Sequence, residues 1–367
     1  MRRETGFTLL EVLVATVVML IIVAATVGAL TDAVHAIQGV TLMADTQENL
    51  RAGMNYIVRD LTQAGEGIPQ NGITLPTTGV IWPGTGIKFS TGGANWSALP
   101  AISPGYQLGP TTSTSGNATD TLTLVYGDTT LQDSNNNWLN KYPVNLASSC
   151  PKGAVTTSGS TTTITFDPNC VNINTGNTAL AAGDLILLQN NAGTCTNANS
   201  IIGSASCDAS SQGTSMALLY VSNVSLGANK ITISAGDPFG LNSASILPAG
   251  TVTATRVWMI TYYIDNSDST RPQLMREVNL KGATAVGDVI ENLQVFYDIL
   301  DPGSSPPAFA ATQLEAPAYG QLPYIRDAYV FLGARSSDSY MQNGRYFRNN
   351  LETAISIRSL NFYNQFN

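Results

Sequence analysis

The chain has 367 residues, 43% of them hydrophobic and only 11% charged, with a formal net charge of −8. That length allows one large domain or two modest ones around a sizeable core. So few charges, with acids in excess, argue against nucleic-acid binding by general electrostatic attraction and against a charge-rich cytosolic surface. The first predicted element is an apolar run. From Phe7 to Leu30 there are 24 residues, and Glu11 is the only charged one. As a helix it reaches about 36 Å, enough for a bilayer core of about 30 Å. Arg2 and Arg3 precede it, which keeps the amino end cytoplasmic and sends the rest outward.

Two plain readings of this run meet the same obstacle. A secretory signal peptide would be cut at a small-residue site such as "VAAT" (23–26), but the run is long and Glu11 sits where apolar residues are wanted. A simple anchor leaves a carboxylate in the bilayer at a cost of about 2.5–3.5 kcal/mol on insertion scales. Such a group calls for a partner.

The stretch "GFTLLEVLVA" (6–15), behind a short basic leader, resembles the class III signal of type IV pilins and type II secretion pseudopilins. The resemblance implies cleavage by a prepilin peptidase between Gly6 and Phe7, and N-methylation of Phe7. Glu11 then becomes the fifth residue of the mature chain. The new α-amino group is cationic at neutral pH, with a reference pKa of about 8. In a filament, Glu11 of an incoming subunit is expected to meet the amino terminus of its neighbour, each charge offsetting the desolvation of the other.

The helix is predicted to continue to about Ala64, since no proline occurs before Pro69. Leu50, Met54, Ile57, Val58 and Leu61 recur at helical spacing and form a face for a globular domain. Gly28, Gly39 and Gly53 read equally as bends or as close contacts. "GEGIPQNG" (65–72) ends the element. From there β-branched runs bounded by turn residues predict strands at 119–128, 160–167, 183–190, 215–226, 229–236 and 251–265. Further strands follow at 273–280, 292–300, 326–336 and 353–359, with Thr/Ser/Asn/Gly-rich loops at 107–119, 148–163 and 190–214. The expected fold class is therefore α+β: a long N-terminal transmembrane and stalk helix packed on a C-terminal antiparallel β-rich domain. The expected division is a leader at 1–6, a helix at 7–64 with its membrane span at 7–30, and a periplasmic or extracellular domain at 65–367.

A second, more diffuse resemblance covers roughly 215–360. "YYIDNSDSTRPQLMREV", "VIENLQVFYDI", "IRDAYVFLGARSSD" and "AISIRSLNF" are similar to the PilW-type minor pilins and their pseudopilin J relatives. It departs from them at Ser359, where an asparagine commonly follows the arginine. It implies a non-enzymatic subunit, inserted in the inner membrane and then built into a pilus. Its implied partners are other minor and major pilins, the prepilin peptidase, the inner-membrane assembly platform and a tip adhesin. The implied role is to prime assembly at or near the tip, in support of adhesion, motility or DNA uptake. A secretion pseudopilin and a pilus-borne adhesin are the alternatives.

The remaining chemistry-bearing residues carry weaker signals. Cys150, Cys170, Cys195 and Cys207 allow three pairings. The sequence-local one joins Cys150 to Cys170 and Cys195 to Cys207, in an oxidising compartment. Zinc is the rival reading, disfavoured by the spacings and the lack of a nearby histidine. The single histidine, His35, belongs to the stalk helix, too far from the globular domain to act as a triad base. "DSNNNW" (133–138) starts like a calcium loop, but Trp138 replaces the required glycine, which leaves a polar turn. "DNSD" (265–268) reads as a turn too. Arg326, Arg335, Arg345, Arg348 and Arg358 crowd the last 42 residues and are expected on solvated strand faces. No catalytic residue, metal or cofactor is expected.

Overall fold

The computed structural model describes residues 8–69, 72–75, 98–111, 116, 118–137, 139–140, 150–174, 180–194, 214–244, 252–301, 308–310, 312–339 and 345–362. Gly6, Phe7, Cys195 and Cys207 lie outside them. Helix α1 runs from Leu9 to Gln63 and ends at the C-cap Ala64, directly followed by the left-handed Gly65. Its buried face includes Leu50, Met54, Ile57 and Leu61, one stripe over about three turns, with each side chain contributing about 1.5–3 kcal/mol by burial.

The strands follow in chain order. β1 (Ile73–Thr74), β2 (Ala98–Leu99), β3 (Ile102–Gly105) and β4 (Thr121–Asp128) precede β5 (Ala154–Ser158), β6 (Thr161–Thr165), β7 (Leu185–Thr194) and β8 (Thr214–Tyr220). Next come β9 (Asn223–Ser225), β10 (Lys230–Ser234), the short helix α2 (Leu241–Ala244), β11 (Thr253–Asp265), β12 (Gln273–Val278) and β13 (Ala283–Asp288). β14 (Ile290–Asp301), β15 (Ala308–Phe309), β16 (Ile325–Ser339), β17 (Tyr346–Ser356) and helix α3 (Arg358–Phe362) complete it.

Two antiparallel sheets carry α1. One has the order β13-β12-β11-β4-β3, with β7 and β8 added beside the first half of β11; the other has the order β15-β14-β16-β17. Their α1-facing side chains, among them Leu124, Tyr262, Leu274, Leu293, Val330 and Ile355, form one core with the stripe of α1. The opposite face of the first sheet is covered by Phe239, Leu241 and Leu99.

A third sheet, β5-β6-β10-β9, belongs to a lobe inserted between β4 and β11. Its core is shared with the main sheet: Ile164, Ile231 and Ile233 of the lobe pack with Ile186 and Leu188 of β7, Leu219 of β8 and Ala254 of β11. The chain passes between the lobe and the main sheet more than once, because β7 and β8 fall between β6 and β9 and join the main sheet beside β11; at one of these seams Asp128 stands opposite Arg256. There the guanidinium donates two bonds to Asp128 Oδ2 and lies over Trp258 at 4.5 Å. Inside the lobe a disulfide joins Cys150 to Cys170.

Several sequence expectations need correction. The loop expected at 148–163 holds β5, whose "AVTTS" is a β-competent run hidden by its serine and threonine content. The loop expected at 190–214 loses its first residues to β7, which extends to Thr194. The run 215–226 divides into β8 and β9, and the run 353–359 is the end of β17, which begins at Tyr346, with 358–359 turning into α3. Arg326 and Arg335 are buried rather than solvated, at 3% and 7% exposure. Arg326 Nη1 donates to the carbonyls of Pro323 and Ile325, and Arg335 lies over the Tyr346 ring while donating to Ser269 O.

The acid turns are built from backbone donors. Asp133 accepts from the amides of Asn135, Asn137 and Asn172. Burial opposes its charge, but those donors outweigh it and hold the carboxyl below its usual range. Asp265 and Asp268 take the amides of Ser267 and Thr270 in the same manner.

Asp120 behaves in the opposite way. It accepts the amides of Gln107 and Val295, both at 2.9 Å, yet burial prevails and pushes its carboxyl up to about 6. The folded value lies above the unfolded one of about 3.9, so the protonated form suits the fold better. Its contribution is complete below about pH 4 and is lost as the pH rises through about 6, at most about 3 kcal/mol. Melting curves of the wild type and of Asp120→Asn across that window check this. The wild type shows a downward step that the variant lacks.

Candidate functional site

Of the carboxylates on helix α1, the two nearest its ends, Glu11 and Asp60, stand in contrasting settings. At the amino end Thr8 is the N-cap, and Glu11 closes a capping box with it. The Glu11 amide donates to Thr8 Oγ1 at 3.3 Å, while the Thr8 amide and hydroxyl donate to Glu11 Oε2 at 3.0 and 3.1 Å. Both bonds received by the carboxylate fall on Oε2. The Thr-x-x-Glu spacing of 8–11 is the sequence signal for this box.

Beyond the cap, α1 leaves its apolar side chains bare. Leu9 is 84% exposed, Leu20 67% and Val40 67%, and the first fully buried position is Thr46. The helix is long and apolar enough to cross a membrane. The bare stretch Leu9–Met43 covers about 52 Å, roughly 20 Å more than a bilayer core. The excess is amphipathic: Leu30, Val34, Ile37 and Val40 continue one apolar stripe, while Asp32, His35 and Gln38 stand off it. His35 is exposed on this stretch.

The three glycines divide by position. A Cβ on Gly53 would stand 2.9 Å from Leu274 Cδ2 and 3.3 Å from Ile290 Cδ1, so glycine lets α1 approach the sheet. A Cβ on Gly28 would meet nothing within 4 Å. Gly39 lies within the helix, short of the buried face.

At the carboxyl end, Asp60 faces the sheets with its side chain 1% exposed. Its Oδ2 accepts Tyr262 Oη at 2.6 Å and Arg276 Nε at 2.7 Å, and its Oδ1 accepts Arg59 Nε at 3.1 Å. Arg276 Nε also reaches Tyr262 Oη at 3.3 Å. Burial first, and the Asp60 charge second, push the Tyr262 phenol far above its usual value and Tyr126 up to about 12. Burial works against the Arg276 charge, yet its bonds to Asp60 and Tyr262 prevail and raise its pKa. An acid on the buried stripe of a helix is the sequence signal for this clamp; the partners, 202 and 216 residues away, carry no local mark. The hydroxyl of Ser359 caps the Ala64 carbonyl beside it.

The family model described as the prokaryotic N-terminal methylation motif matches residues 1–27. No curated protein and no solved structure matches the chain. A prepilin-type signal ahead of an exposed apolar helix and an antiparallel β domain supports a type IV pilin-like protein, anchored in the inner membrane before it is assembled.

Proposed function

We propose that this chain is a minor pilin of a type IV pilus: a structural subunit, cut between Gly6 and Phe7, that helps to prime the filament and stands at or near its tip. The observation that carries the reading is the length of bare apolar helix. An anchor needs about 20 apolar residues, and α1 leaves apolar side chains bare as far as Met43. Helices of neighbouring subunits are its natural cover. Glu11 fits the same role. Cleavage before Phe7 leaves the Thr8 amide intact, so the capping box survives and Oε1 stays open to a neighbour's ammonium group. That contact offsets the cost of the carboxylate only once subunits assemble.

The inserted lobe favours one addition to this reading. The sheet β5-β6-β10-β9, packed on β7, β8 and the start of β11 away from the core around α1, gives the domain a surface that α1 does not use. Adhesion through the lobe is the second reading.

Deletion with fractionation tests the proposal. The chain is expected in filaments sheared from wild-type cells, and its loss is expected to reduce piliation while leaving protein secretion unchanged. Intact pili with failed secretion would reassign it to a secretion pseudopilus.

A further inference from the structure

The sheet edges of this protein are unequal. β3 carries Pro104, β15 has two residues, β9 has three, and the side chain of Asn242 occupies the amide and carbonyl of Tyr220 at the edge of β8. β17 has 11 residues, contains no proline or lysine, and pairs only with β16 among the described residues. Its register fixes which groups face outward. Ile357 N bonds Arg326 O across the ladder, so the odd-numbered residues of β17 bond inward and the even-numbered ones turn their N–H and C=O away from β16. The outward amide of Asn350 is taken by Asn349 Oδ1 at 2.9 Å. Those of Glu352 and Ala354 remain open, on residues that are themselves exposed.

Direction narrows the choice of partner. Gly53 of α1 lies against Leu332, which pairs with Leu351, and Ala64 bonds Ser359. Helix α1 and β17 therefore run the same way. A second copy pairing antiparallel through this edge would point its α1 in the opposite direction, which two helices entering one membrane from the same side cannot do. Charge narrows it further. Arg348 is held by Glu291 at 2.6 Å, so Glu352 is the edge charge left for a cross-strand partner.

We propose that the outer edge of β17, at Glu352 and Ala354, takes a β-strand from a neighbouring, non-identical subunit of the filament, with a basic side chain facing Glu352. The inference rests on the assembly reading above and adds to it the surface through which the β domain is held. Backbone bonds supply the attachment and Glu352 the register.

Residue-resolved hydrogen exchange on the full chain tests this, comparing the detergent-solubilised form with wild-type sheared filaments. The amides of Glu352 and Ala354 are expected to exchange at least about tenfold more slowly in filaments. Equal exchange in a chain that is present in the filaments overturns the edge pairing and leaves the assembly reading standing. Absence of the chain from filaments overturns both. Ala354→Pro removes only an outward donor, so its melting curve and membrane level are expected to match the wild type while incorporation falls about tenfold. Normal incorporation of a folded Ala354→Pro chain contradicts the proposal, and so does normal incorporation of Glu352→Lys.

Discussion

Asp60→Ala is expected to lower the stability of the detergent-solubilised full chain by about 3–5 kcal/mol and to release the last turns of α1 from the sheets. The magnitude follows from what is left behind. Tyr262 Oη and Arg276 Nε both lose their short bonds to Oδ2 at a site with 1% exposure, so a buried phenol and a guanidinium stand without their acceptor. The apolar stripe, the Gly53 contact and the Ser359 bond remain, but the polar tie from the end of α1 to Tyr262 of β11 and Arg276 of β12 is gone. Arg59→Ala is expected to cost under about 1 kcal/mol, because that side chain is 55% exposed and its contact is screened. Denaturant unfolding of Asp60→Ala, Arg276→Ala and the double variant measures the coupling. A cycle in which the two losses simply add would show that no clamp exists.

Glu11→Ala is expected to leave cleavage and membrane insertion intact and to lower incorporation into filaments about tenfold or more, the factor that one charge-assisted hydrogen bond is worth. The sign separates the readings. In a plain anchor the carboxylate is only a burden, and its removal would improve retention in the membrane with no other effect. In an assembling subunit it makes a contact that exists only between chains. Cells producing tagged wild type and Glu11→Ala together give the ratio directly from sheared filaments. Thr8→Val removes the donor hydroxyl while sparing the backbone amide, and is expected to cost about 1 kcal/mol of cap stability with a smaller loss of incorporation.

Much of the fold was legible because its signals are local. The apolar run, the Leu50–Leu61 stripe and the turn-bounded strands each declare themselves within ten to twenty residues, and the structure contains α1 and the main strands where those patterns lie. What was not legible depends on distant parts of the chain. β5 is a strand because Thr156 and Thr157 lie opposite Thr163 and Thr162 of a neighbouring strand, and nothing in "AVTTS" separates it from a polar loop. Arg326 and Arg335 look like surface charges until β14, β17 and the turn at Ser269 close around them. At the site, Glu11 stood out because a lone charge in an apolar run is anomalous. Asp60 did not stand out, although it is buried as deeply as the leucines beside it, because an Arg-Asp pair near the end of a helix is ordinary on a surface.

The most direct test of the account is the intact mass and N-terminal sequence of the mature protein extracted from membranes of cells with an active prepilin peptidase. The account predicts a chain that begins at methylated Phe7, with Glu11 as its fifth residue. A chain that begins beyond residue 23, or one that retains Met1, would contradict it: the first would make the apolar run an ordinary signal peptide, the second a simple anchor.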